Sequence, residues 1–317
     1  MYVLYVEDQT SLLERSWLFE QYMEPLLKSL EAFYQTNSTS ATLPEIQQYL
    51  QVCRWPFRRL EYSFALEALL NHLQPGCRYL DAGCGVTPLA YVFARLGVYA
   101  DACDNDSRLI DQLRQLNLDR LYGAPVAYAV QDLTATSYPD AAFDAISCIS
   151  VLEHIPAPDD QKAIYELLRI LKPGGILVLT VDFTPISTAK PLGRLQYYLR
   201  RVIALTLNGN ISEVKRGIVR KLRARQVVRQ GAARKPRSAN QCFEIEHLEQ
   251  DILPLLNARG QEINSYLNFS TDLRSVTPAH ARRFWEIEAG LYNNQGRRAV
   301  LPVGYILRKS GADSVSE

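Results

Sequence analysis

The spacing of apolar and polar positions changes character near residue 76. Before it, apolar residues recur at helical intervals. Residues 10–34 carry Leu13, Trp17 and Leu18, then Leu26, Leu27, Leu30 and Phe33, which predicts helix, with Pro25 kinking or splitting it. A polar loop over 35–42 follows, and Pro44 opens a short helix over 44–51. Residues 57–73 predict a stronger helix, with Leu60, Phe64, Leu66, Leu69, Leu70 and Leu73 on a broad apolar face and Gln74-Pro75-Gly76 closing it. Residues 2–8 look like a first strand, but nothing before residue 76 is long enough to build a separate sheet.

From residue 77 short apolar runs alternate with amphipathic stretches. Strands are predicted over 77–84, 98–103, 126–130, 143–150 and 176–181, with helices over 87–96, 107–118 and 160–171 between them. This rhythm means βαβ units and a parallel sheet. It breaks over 184–240, where Leu195, Leu199, Val202 and Ile203, then Ile211, Val214, Ile218 and Leu222, predict two amphipathic helices. Asn210 caps the second, with Glu213 in its first turn. The alternation resumes with a helix over 244–256, a half-buried strand over 261–268, a helix over 278–292 and a last strand over 299–307. The expected organisation is a helical N-terminal lead-in (1–75), an α/β core (76–183 and 241–310) and a helical insertion (184–240).

Composition adds little until charge is mapped. Among 317 residues, 47% are apolar and 22% charged, ordinary for a globular chain with a sizeable core. No apolar run approaches the ~20 residues that span a bilayer, and Glu7 and Asp8 stand where a signal peptide would be basic. A cytoplasmic protein is expected, with a peripheral membrane location as the alternative. The six cysteines contain no CxxC pair and several fall in predicted strands, the pattern of buried thiols. The net charge of +1 hides an asymmetry. Residues 190–237 hold 14 Lys or Arg and one acid, a net of +13, which leaves the rest of the chain at −12.

The chemistry gathers at predicted strand ends. The run Leu80-Asp81-Ala82-Gly83-Cys84-Gly85 is a strand that stops in a glycine turn feeding a helix, a turn that lets a ligand approach the backbone. Asp104 and Asp132 end the next two strands, where ligands of open parallel sheets bind. Asp104 lies 19 residues beyond Gly85, the distance at which a carboxylate receives ribose hydroxyls. Together these point to an adenosine-containing cofactor. A dinucleotide is disfavoured, because the third glycine of its fingerprint is replaced by Pro88 and because Asp81 is a poor neighbour for phosphate. A carboxylate there suits a cationic amine, as in S-adenosylmethionine.

These residues, with Cys103-Asp104, Gln131-Asp132, the stretch from Phe143 to His154, and Leu168 to Leu177 containing Lys172-Pro173-Gly174-Gly175, resemble class I S-adenosylmethionine-dependent methyltransferases over about residues 77–183. The resemblance implies a seven-stranded, mostly parallel Rossmann-like sheet in the order 3-2-1-4-5-7-6, helices on both faces, and residues 299–307 as the antiparallel seventh strand. It implies that Gly83 and Gly85 pass beneath the amino-acid moiety of the cofactor with Asp81 near its ammonium. Asp104 would hold the ribose, Asp132 the adenine amino group with Leu133 beside it, and Ile149, Ser150 and Val151 the methionine part. Relatives with Glu-x-x-Glu-His at the end of the fourth strand bind a divalent metal; here Ser150 stands in place of the first glutamate, and no metal is expected.

For methyl transfer to a hydroxyl a base must take a proton. His154, just past the fourth strand, has the right ordinary pKa, against the simpler reading of a locally bonded histidine. Asp182 is the second candidate, against a turn-forming aspartate. Glu61 and Tyr62 lie on a helix that in relatives often covers the cofactor, and Tyr62 reads more readily as core packing. The expected acceptor is a hydroxyl (or amine) of a small molecule, glycan or lipid. The basic segment reads as a solvated lid, as a contact for an anionic membrane surface, or as an RNA site. RNA is disfavoured because no Asn/Asp-Pro-Pro-Tyr stretch follows the fourth strand. RNA-directed methylation and a non-catalytic cofactor-binding scaffold or sensor remain the alternatives.

Overall fold

A computed structural model describes residues 1–6, 8–36, 50, 52–184, 242–265, 267, 269, 271–274, 277, 280 and 301–310. The predicted helices over 44–51, in the 184–240 insertion and over 278–292 therefore lie outside the described residues, apart from isolated positions.

The chain folds as a mixed α/β Rossmann-like structure. Its parallel strands are β2 (Arg78–Ala82), β3 (Tyr99–Asp104), β4 (Val126–Val130), β5 (Phe143–Ile149) and β6 (Leu171–Thr184). β2 lies between β3 and β5, β4 lies outside β3, and β6 lies beside β5. β5 is buried at Phe143, Ala145, Ile146 and Cys148, the run of small and branched apolar residues expected of a strand covered on both faces. β6 runs further than predicted: Leu171 pairs with Phe143, and a register shift follows before Ile176 rejoins Ala145. β7 (Phe243–Glu244) extends β6 in parallel at Phe183 and Thr184.

Where seven strands were expected, the described residues form nine. β9 (Leu301–Lys309) runs antiparallel beside β6, and its outer edge is shared by two short segments. β8 (Gly260–Glu262) pairs with Lys309 to Leu307, while β1 (Tyr2–Val3) pairs with Gly304 and Val303. The predicted strand over 261–268 is cut short for a steric reason. Once Ile263 has donated to Ile306, the next stretch of edge is taken by the N-terminal residues. The Tyr2 hydroxyl bonds Asn264 and Ser265 instead.

The lead-in packs on this sheet. The Pro56–Leu70 helix lies against β5, β6 and β9. It is buried nearly all round, Glu61, Ser63 and Glu67 included. Gly304 makes the close approach of that helix to β9 feasible, since a Cβ there would sit 2.5 Å from the Phe64 ring. Earlier in the chain the predicted apolar face is corrected. Leu13 and Trp17 are 52% and 51% exposed, whereas Leu18 is buried as expected and Leu12, Ser16, Phe19 and Met23 are buried in place of the other two. The helix adjusts before Pro25 by a π turn over Phe19–Met23, closed by the Glu24 N–H donating to Phe19 five residues back. That turn absorbs the proline, which lacks an N–H of its own. No helix among the described residues is long and apolar enough to cross a membrane, and all six cysteines are free thiols.

Candidate functional site

The parallel strands place Asp81, Asp104, Ile149 and Asp182 at one edge of the sheet. At the end of β2, Asp81 is 3% exposed. Ser147 donates to its Oδ1 at 3.0 Å and Thr87 to its Oδ2 at 3.3 Å. Tyr79 and Ser147 share a buried hydroxyl contact of 2.6 Å behind them. No cation pairs with Asp81 among the described residues, and burial raises its pKa to about 7, against the two hydroxyl bonds and with a smaller push from the Asp104 charge. A buried carboxyl with hydroxyl partners and no counter-charge among the described residues either keeps its proton or takes up a cation.

The glycine turn follows. Gly83 and Gly85 have φ of 75° and 53°. The Gly83 and Cys84 N–H groups both donate to the Cys103 carbonyl, at 2.8 and 2.9 Å, and so tie the loop to the end of β3. Asp104 completes the tie: its Oδ2 accepts from Gly85 N at 3.1 Å and its Oδ1 from Asp106 N at 3.1 Å. A carboxylate oxygen that accepts one bond keeps a further lone pair, so Asp104 can still receive a pair of hydroxyls. A cofactor with a cationic amine and a ribose fits these groups. A pyrophosphate does not, since the buried Asp81 lies beside the loop.

Asp132 is exposed, and its Oδ1 accepts from the N–H and hydroxyl of Thr134, at 2.9 and 2.8 Å, bonds that lower its pKa. Leu133 beside it is buried. At the end of β5, Ser150 has a left-handed backbone, φ 52°, and is buried between half-buried Ile149 and Val151. Its N–H donates to Thr180 O at 2.9 Å. Val151 leans over the glycine turn, so that a Cβ on Gly83 would sit 2.4 Å from one of its methyl groups. The expected site residues on β2, β3 and β5 thus meet, and Asp132 stands on an exposed turn just past Gln131, whose N–H donates to the Asp104 carbonyl at 3.0 Å.

Beyond that turn lie the two proton-acceptor candidates. His154 is exposed at the rim, and its dense surroundings, then the Arg58 guanidinium, lower its pKa. Asp182, half-buried on β6, donates its N–H to Glu153 Oε1 at 3.2 Å. Through that bond Glu153, just past β5, bridges to β6. It is 1% exposed, and its Oε2 has no hydrogen-bond partner. Burial, then the Asp182 charge, raises its pKa well above the carboxylate range. A folded-state pKa raised in this way adds stability at low pH that is lost as pH rises through it. Glu153→Gln is therefore expected to lose less stability than the wild type between about pH 5.5 and about pH 8 in paired thermal melts. An equal decline in both would show that Glu153 does not titrate as its burial requires.

Several pairings were not visible in the sequence, which placed Glu61 only on a covering helix. Glu61 accepts from the hydroxyls of Ser150 (2.6 Å) and Thr180 (2.8 Å), and Arg58 bonds its other oxygen at 2.8 Å. Ser147 within the run Ala145 to Ile149, and Thr180 within the run Ile176 to Val181, are each the one hydroxyl among apolar neighbours, a signal that was available. The position that holds a glutamate in metal-binding relatives is thus a serine bonded to Glu61. Among the described residues no three His, Cys, Asp or Glu side chains are placed to hold a metal ion.

Residues 80–179 match the family model for a methyltransferase domain. A ubiquinone biosynthesis O-methyltransferase of Xanthomonas campestris pv. campestris (strain B100) is 37% identical over 145 residues, which cover 45% of this chain and 56% of that protein. The chain thus spans about half the length of the curated relatives it matches. Among solved structures, a putative sarcosine dimethylglycine methyltransferase from Galdieria sulphuraria aligns with a TM-score of 0.48 at 14% identity, covering 80% of this chain and 86% of that one. A methyltransferase from Methanosarcina mazei aligns with a TM-score of 0.42 at 19% identity, covering 77% and 97%.

Proposed function

We propose, from the premise that residues 80–179 belong to the class I S-adenosylmethionine-dependent methyltransferases, that this chain transfers a methyl group to a hydroxyl of a small molecule, glycan or lipid. The observation that carries the reading is Asp81, a buried carboxylate at the glycine turn with no cation beside it among the described residues. The O-methyltransferase named among the relatives favours a hydroxyl over an amine. In its finer form the reading keeps the 3-2-1-4-5-7-6 strand plan, with the sixth place divided between β8 and β1. It also keeps the lead-in (1–75) and the basic insertion (184–240) as the parts that select the acceptor.

S-adenosylmethionine would supply, when bound, an electrophilic methyl group on its sulfonium: the acceptor oxygen would bond to that carbon as the carbon–sulfur bond breaks and S-adenosylhomocysteine leaves. Asp81 would hold the ammonium over Gly83 and Gly85, and Asp104 the ribose hydroxyls. Asp132 and Leu133 would meet the adenine, and 149–151 the methionine chain. The protein's share of the chemistry is to align the acceptor and to take its proton. His154 suits this because a lowered pKa leaves its ring unprotonated near neutral pH, ready to accept. Asp182, at the same edge, is the second acceptor for that proton.

Calorimetric titration with S-adenosylmethionine tests the cofactor site, and the absence of binding would sink the reading. Labelling of cell extract with the methyl-labelled cofactor, fractionated into lipid, glycan, RNA and small-molecule pools, then identifies the acceptor. Label in the RNA pool alone would replace this acceptor class. Binding without release of S-adenosylhomocysteine in any pool would favour a scaffold. Once an acceptor is found, His154→Ala is expected to lower turnover by about a hundredfold or more. Unchanged turnover would pass the role to Asp182.

A further inference from the structure

The helix that precedes the core reaches into the cofactor edge through one buried carboxylate. Glu61 is fully buried, and both of its oxygens are engaged. Oε1 takes the Ser150 hydroxyl at 2.6 Å and the Thr180 hydroxyl at 2.8 Å, and Oε2 takes Arg58 Nη1 at 2.8 Å. Thr180 also receives the Ser150 N–H, on its carbonyl at 2.9 Å and on its hydroxyl at 3.2 Å. Ser150 is therefore fixed from two sides, by β6 through its backbone and by the lead-in helix through its side chain. It is also one of three non-glycine residues with positive φ among those described, a conformation that holds only where its surroundings over-determine it. The next residue, Val151, packs directly on Gly83.

We infer that Glu61 is a positioning residue for the cofactor site: by bonding Ser150 and Thr180 it holds the turn after β5 in the left-handed shape that seats Val151 against the glycine loop. The site is then built by the lead-in helix as well as by the Rossmann-like core. The inference rests on the reading that 149–151 faces S-adenosylmethionine. It assigns Glu61 no contact with the cofactor and no proton to transfer.

The test needs no acceptor. S-adenosylmethionine affinity is measured by calorimetry, well below each protein's melting temperature, for the wild type, Glu61→Ala, Glu61→Gln, Ser150→Ala and the Glu61→Ala/Ser150→Ala double variant. Glu61→Ala is expected to weaken binding about tenfold, the scale of one buried charge-assisted hydrogen bond, and Ser150→Ala by about threefold to tenfold. Because Glu61 acts through Ser150, the double variant should bind no worse than Glu61→Ala, since effects on one path do not add. Glu61→Gln keeps an oxygen for the two hydroxyls and should fall between the wild type and Glu61→Ala. Should Glu61→Ala fail to fold, Glu61→Gln and Ser150→Ala carry the comparison. Folded variants within about twofold of wild-type affinity, or strictly additive losses in the double variant, would overturn the inference and leave the methyltransferase reading standing. No binding by the wild type would overturn both.

Discussion

Asp81→Asn is expected to lose S-adenosylmethionine binding and, in the same step, to make the ligand-free protein more stable above neutral pH. Both effects follow from a carboxylate that is 3% exposed and has, among the described residues, hydroxyls but no cation as partners. Asparagine is isosteric, and its oxygen still accepts from Ser147 or Thr87, so the fold keeps its shape. What disappears is the charge that the proposal pairs with the ammonium. Removing one partner of a buried ion pair is strongly unfavourable, so affinity should fall by about a hundredfold or more. The stability effect runs the other way. Burial raises the Asp81 pKa from 3.8 to about 7. The folded state therefore holds a proton that the unfolded chain has already released. Stability from this group is full below the unfolded value and is lost as pH rises through the folded one. The displacement corresponds to at most roughly 4 kcal/mol at alkaline pH. Thermal melts at about pH 5.5 and about pH 8 should converge for Asp81→Asn relative to the wild type. A variant that bound the cofactor normally would remove Asp81 from the ammonium site.

The same residue shows why part of the site was legible. Asp81, Gly83, Gly85 and Asp104 belong to one strand–turn–helix unit and the strand that follows, so their spacing along the chain fixes their spacing in space. The hydrogen bond from Gly85 N to Asp104 crosses only 19 residues. Glu61 is different: its bonds to Ser150 and Thr180 cross 89 and 119 residues. No local pattern announces such a pairing. The sheet edge divides the same way. The alternation over 261–268 correctly reports a chain that can be a strand, but whether it stays on β9 depends on Tyr2 and Val3, which compete for that edge from the other end of the sequence. Periodicity also misled at Leu13 and Trp17. There the buried positions include a polar Ser16 whose N–H bonds Leu12, so the apolar residues alone misplaced those two.

Gly83→Ala should be the most damaging single-methyl change in the glycine turn, and the source of the damage can be divided. Gly83 has φ 75°, a conformation that costs an L-residue roughly 1–2 kcal/mol. The added Cβ would also meet Val151, with its two methyl carbons at 2.4 and 2.8 Å and its Cβ at 3.2 Å. Rotation of the valine side chain can move the methyl groups but not the Cβ, so the backbone after β5 must shift. Overpacking of this kind costs about 1–3 kcal/mol. The two terms together predict a loss of roughly 2–5 kcal/mol in denaturant unfolding. In the proposal that shift moves 149–151 away from the methionine chain, so affinity for S-adenosylmethionine falls as well. Val151→Ala removes both methyl carbons nearest the added Cβ. The double variant Gly83→Ala/Val151→Ala should therefore recover most of the overpacking loss but none of the backbone strain. Recovery of stability without recovery of cofactor affinity would mean that the Val151 side chain itself forms part of the binding surface. Recovery of neither would show that positive φ at Gly83, rather than the packing of the two turns, governs this corner of the site.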